Sequence, residues 1–185
     1  MSDKADPEPR LFRTHLSAFG MLRSESPYFE VIGRISVEWG SFEAALDRLI
    51  WVLSGTTRQT CAAITSQING PVPRLRAILS LLELKGVFPD LLSDVNQFMQ
   101  RTHGIADERN RVLHDPWLFE HRDQTVEQAR SARIGKKFVH DYKPVTIEGL
   151  NEIGRRINEH ALKLVELQVC IQDDPARPLS GANWS

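Results

Sequence analysis

Residues 26–55 read SPYFEVIGRISVEWGSFEAALDRLIWVLSG. Tyr28, Ile32, Ile35, Trp39, Phe42, Leu46, Leu49 and Leu53 fall at alternating steps of four and three. On a helix of about 3.6 residues per turn, that spacing draws one continuous apolar seam. Ser26 suits a cap at the start. Pro27 suits the first helical position, where no backbone N–H is needed. Ser54-Gly55 ends the helix.

The same reading extends along the chain. Thr57, Cys61, Ile64 and Ile68 mark a shorter second helix, stopped by Asn69-Gly70-Pro71. Leu75, Ile78, Leu79 and Leu82 mark a third, ending at Gly86. Pro89-Asp90 opens a fourth, with a stripe of Leu91, Val95, Phe98, Thr102, Ile105, Arg109 and Val112. Leu92, Met99, Ala106 and Leu113 widen that stripe, and Pro116 ends it by pushing Asp115 out of the α region. Residues 117–145 have no helical period, although Ile134, Phe138, Val139 and Tyr142 fit a short hairpin with weak alternation. Thr146 is placed to cap a last helix whose face is Leu150, Ile153, Ile157, Ala161, Leu164 and Ile171. Near the N-terminus, Leu11–Leu22 fits a short helix after a start loosened by Pro7 and Pro9.

The expected fold is therefore all-α: a bundle of about five helices with a short irregular or hairpin insertion before the last. One domain over residues 26–172 is expected, with tails at 1–25 and 173–185. A chain of 185 residues with 41% hydrophobic residues can bury a proper core.

Composition narrows the function. The net charge of -1 gives no general attraction to nucleic acid, so any such binding needs a local patch. The N-terminus is polar and acidic rather than a signal peptide, and no run approaches the ~18 apolar residues of a membrane span. A soluble cytoplasmic protein without a membrane partner is expected. Cys61 and Cys170, set among apolar residues, read as small core side chains rather than as a disulfide framework. There is no GxxxxGK[ST], GxGxxG or Gly-x-Ser-x-Gly. No cofactor is implied.

The chemistry concentrates in Arg109-Asn110-Arg111-Val112-Leu113-His114. Arg109 falls in the middle of the apolar stripe. On the same helix His103, Asp107, Asn110 and His114 share a face, at roughly 120°, 160°, 100° and 140° from Arg109. Two readings of Arg109 stand. It pairs with a buried carboxylate, for which Glu43 at the edge of the first seam is the candidate, or it serves a site. His114 is either a functional imidazole or a His favoured by its place near a helix C-terminus.

An Arg followed directly by Asn, with a His five residues after the Arg, resembles the R-x4-6-H signature of the HEPN domain. That resemblance implies an all-helical fold and, in many members, metal-independent cleavage of RNA. RNA carries its own nucleophile, the 2′-hydroxyl, so the protein need only move protons and stabilise charge. A His with an ordinary pKa of ~6.5 suits the proton work, and the planar fork of Arg suits a phosphate. The implied roles are Arg109 on the phosphate, His114 as acid or base and Asn110 in support, with His103, Asp107 and Glu43 around them. The resemblance also implies a homodimer with a composite cleft, products ending in a 2′,3′-cyclic phosphate, and a possible antitoxin or regulatory protein. One departure counts against control by modification of a Tyr two residues after the His: that position is Pro116.

RNA contacts are expected from Arg111, Trp117, Lys136 and Lys137. Trp117 suits base stacking or packing over the bundle end. The basic residues of 122–143 suit phosphate contacts or an ordinary solvated loop. His103, Asp107 and His114 also have metal-ligand chemistry, but Glu-x-x-His pairs and Cys–Cys zinc spacing are both absent, so no metal is expected.

Overall fold

The computed structural model describes residues 26–87, 89–120, 125–134 and 137–173. The expected N-terminal helix at 11–22 and both expected tails lie outside the described residues, except for Asp173. Among the described residues there are five helices: α1 (Pro27–Ser54), α2 (Arg58–Thr65), α3 (Pro71–Leu84), α4 (Pro89–His114) and α5 (Ile147–Asp173). Between α4 and α5 lies an antiparallel sheet of β1 (Trp117–Glu120), β2 (Thr125–Ile134) and β3 (Lys137–Pro144), in that spatial order. The fold is thus a helical bundle with a small β insertion before its last helix. The expected hairpin is β2–β3, with Arg133 opposite Phe138 and Ala132 opposite Val139.

The α1 seam forms as its spacing dictates. Ile35, Trp39, Phe42, Leu46, Leu49 and Leu53 are buried, while Tyr28 and Ile32 are only partly so. Burying a side chain of this kind contributes about 1.5–3 kcal/mol. Gly55 closes the helix at φ 66°, a left-handed conformation that costs glycine nothing. Helix starts depart from expectation in two places. The Ser26 hydroxyl makes no cap; its carbonyl accepts from Phe29 N at 3.0 Å instead. Thr57 precedes α2 rather than sitting within it, and its hydroxyl accepts from Thr60 N at 3.3 Å. Ile68 lies past the end of α2 and packs on the core from the following turn.

Helix α1 is central and packs on α2, α3, α4 and α5. One core joins Phe42 of α1, Ile78 of α3, Phe98 of α4 and Leu164 of α5. The sheet is fastened to the C-terminal end of α4. Trp117 Nε1 donates to Val112 O at 3.0 Å, and Gln128 Nε2 donates to Arg111 O at 3.1 Å. The first satisfies a carbonyl that the last turn of a helix otherwise leaves without a partner, while Arg111 O also accepts from Asp115 N at 3.0 Å. Thr146 caps α5, its hydroxyl accepting from Gly149 N at 3.0 Å. No helix among the described residues is long and apolar enough to cross a membrane.

Candidate functional site

Arg109 enters α4 at the middle of its stripe, one turn after Ile105 and three residues before buried Val112. It is half-buried. Its guanidinium carbon lies 5.8 Å from the centroid of the Trp39 ring. Nη1 donates to Asn110 Oδ1 at 3.0 Å, and Nε is buried with no hydrogen-bond partner. Burial pushes the pKa of Arg109 down, and the field of Glu43 offsets part of that. Among the described residues no carboxylate stands within ion-pair distance of Arg109. The close Arg109–Glu43 pair considered from the sequence is therefore not formed. An aromatic face and a side-chain amide hold the cation instead.

His114 is the last residue of α4 and is exposed. Asn110, Asp107 and His103 are exposed on the same side, and His103 Nδ1 lies 3.8 Å from Asp107 Oδ2. The helix thus presents an exposed row of two imidazoles, a carboxylate and an amide beside the half-buried Arg109. Asn110 joins the row to Arg109. Among the described residues the His114 side chain makes no hydrogen bond.

The residues expected to bind RNA are placed differently. Arg111 lies about 200° from Arg109 on the helix, roughly 40° beyond Asp107 and 60° beyond His114, and turns toward the sheet and α5. Its Nη1 lies 3.8 Å from Asp115 Oδ2. The Trp117 ring meets Tyr28 edge-on at 6.1 Å and packs against the core, with its N–H committed to Val112 O. Lys137 opens β3, and Lys136 lies outside the described residues. So Arg109 contacts Asn110, and Asn110, His114, Asp107 and His103 share one exposed face, whereas Trp117 is committed to the core and Arg111 lies at the edge of that face toward the sheet.

Two features were missed in the sequence. His160 of α5 is buried and stacks on Phe98 with centroids 4.0 Å apart and planes 3° from parallel. Its Nε2 is 2.7 Å from Thr102 Oγ1, which donates its own proton to Phe98 O at 2.8 Å. That hydroxyl has one proton, so Nε2–H is the donor to it. Burial first, then the charges of Lys163 and Arg101, push the pKa of His160 down to about 4. Its signal was its position, in step with Ile153, Ile157 and Leu164 on the apolar face. The second feature is a pair of clefts of about 370 and 360 Å³ beside the α4–α5 contact. Both include Glu108 and Arg156 in their walls, and Arg156 donates to both carboxylate oxygens of Glu108.

Among the described residues, no group of three His, Cys, Asp or Glu side chains converges as a metal ligand set. The arrangement around Arg109 and His114 offers a fixed cation, an amide and an accessible proton carrier. No protein-family model, curated protein or solved structure matches this chain.

Proposed function

We propose that this chain is a HEPN-like, metal-independent endoribonuclease that acts as a homodimer. The observation that carries the reading is the state of Arg109. Its guanidinium is held by Trp39 and Asn110 and, among the described residues, is not neutralised by a close carboxylate. A cation so placed is ready for an anion, and its planar fork matches two phosphate oxygens.

In this reaction the 2′-oxygen of RNA attacks the adjacent phosphorus. The bond to the 5′-oxygen of the next nucleotide breaks. One group removes the 2′-hydroxyl proton and another supplies a proton to the departing 5′-oxygen. The products end in a 2′,3′-cyclic phosphate and a 5′-hydroxyl. Arg109 balances the charge that builds on the phosphorane oxygens. His114, exposed at the end of α4, carries a proton in or out. Each chain supplies one such His, and a second copy supplies the other proton carrier. The test is incubation of single-stranded RNA in EDTA with analysis of the ends. Cyclic phosphate ends support the reading; 3′-hydroxyl ends or a requirement for metal overturn it.

A second reading, a non-catalytic dimer that binds nucleotide or a partner protein, draws on a different observation. Leu162, Val165 and Val169 sit at i, i+3 and i+7 on the outer face of α5 and are 58%, 50% and 50% exposed. Three apolar side chains in one exposed row suit contact with another surface. Under that reading His114→Ala leaves dimerisation intact and no cleavage is found for either protein.

A further inference from the structure

We infer that the cleft between α4, the sheet and the start of α5 is a binding site for a small organic phosphate. The site is separate from Arg109 and His114, neither of which lines it.

The charge in this cleft runs against the charge of the chain. Arg111, Arg130, Lys143 and Arg156 line it with one carboxylate, Glu108; Asp115 stands 3.8 Å from Arg111 and Glu152 4.0 Å from Arg156, which leaves the charges of Arg130 and Lys143 in excess. The chain as a whole carries -1. Glu108 is already engaged by Arg156, so it screens little of the rest.

Among the described residues, two of these cations have no ion-pair partner. Arg130, on β2, is half-buried, and its Nε is buried with no hydrogen-bond partner. Asp141 stands opposite it in the β2–β3 register, yet no ion pair forms between them. Desolvating a guanidinium nitrogen without a partner is costly, and such a group calls for an explanation. An oxyanion in the cleft supplies one. Lys143 is exposed and, among the described residues, has no ion-pair partner. It is opposite Gln128, two residues from Arg130, so Arg130 and Lys143 rise from the same face of the hairpin.

The rest of the wall defines the ligand body. Val112 and Leu150 are buried, and Ile153 is half-buried. Together they give the cleft an apolar floor beneath a cationic rim. A volume of about 360 Å³ falls in the range of small-molecule pockets. An apolar or ring-shaped body on the floor with a phosphoryl group at Arg130, Arg111 and Lys143 satisfies both parts. Arginine forks and a lysine ammonium suit a dianionic phosphate.

The probe is phenyl phosphate, titrated into the full chain and followed by methyl NMR. Saturable shifts at Val112, Leu150 and Ile153 are expected. Lys143→Glu, a surface change, should weaken binding by roughly tenfold or more, and so should Arg130→Gln. Arg58→Gln, at the start of α2, should leave it unchanged. Benzyl alcohol, which lacks the phosphate, should not saturate the site. No shift at these methyls, or equal affinity in the Lys143→Glu protein, overturns the assignment. A response at the same methyls only to an RNA oligonucleotide also overturns it, and makes the cleft part of a phosphodiester track.

Discussion

The Arg109 guanidinium rests 5.8 Å from the Trp39 ring centroid, joining α4 to α1 through a cation and an aromatic face rather than through an ion pair. Trp39 is 2% exposed and belongs to the core. Its position is set by the seam of α1, so the core itself fixes where the guanidinium stands. A weakly bonded cation is also the kind that a phosphate recruits without first breaking a protein contact.

This geometry sets the cost of removing Arg109. A buried ion pair loses about 3–5 kcal/mol when one partner is deleted. An exposed-side cation–π contact is worth about 0.5–1 kcal/mol. Arg109→Ala is therefore expected to lower stability by about 1 kcal/mol, read from the urea midpoint at unchanged slope. A loss beyond about 3 kcal/mol would mean that Arg109 is chiefly structural.

His160 makes stability depend on pH. Its folded pKa of about 4 lies below the ordinary value of 6.5. The unfolded chain therefore binds the proton first as pH falls. The contribution is fully present above pH 6.5 and is lost between 6.5 and about 4, to a depth of about 3 kcal/mol. Urea unfolding at pH 7, 5.5 and 4.5 should show this decline, and His160→Phe should flatten it. A profile unchanged by that substitution would place the dependence elsewhere.

Thr102 is the partner of that imidazole. Thr102→Val keeps the shape but leaves His160 Nε2–H without its acceptor. A loss of about 1–3 kcal/mol is expected, measured by thermal or urea unfolding. Stability equal to wild type would mean that another acceptor takes the proton.

Much of this architecture was legible in the sequence, for a physical reason. Seams such as Ile35–Trp39–Phe42–Leu46 repeat long enough for the helical period to dominate. Pro71, Gly86, Pro89 and Pro116 punctuate the chain where backbone geometry permits little else. Strand β1 was not legible: Trp117–Glu120 is four residues, too short to display a period of two. Ser26 shows that a capping residue type need not cap, and Thr57 that a residue in step with a helical seam can be its cap instead. At the candidate site, the shared face of His103, Asp107, Asn110 and His114 followed from helix geometry alone. The partner of Arg109 did not, because Trp39 and Glu43 sit one turn apart on α1 and only tertiary packing chooses between them. His160 was hidden because an imidazole in an apolar stripe carries no mark of its acceptor, which lies on another helix.

The sheet holds the end of α4, and with it His114. Trp117→Phe keeps a ring against Tyr28 and removes only the bond to Val112 O. A loss of about 1 kcal/mol is expected, with faster amide hydrogen exchange in the last turn of α4. Exchange rates unchanged there would show that the indole N–H does not secure the helix end.

Cleavage of end-labelled single-stranded RNA in excess EDTA, wild type beside His114→Ala, addresses the ribonuclease proposal itself. The proposal predicts cleavage by wild type and a rate at least about a hundredfold lower for His114→Ala, with the same melting temperature and the same dimer. Equal rates for the two proteins, or no cleavage of any RNA by wild type, would contradict it.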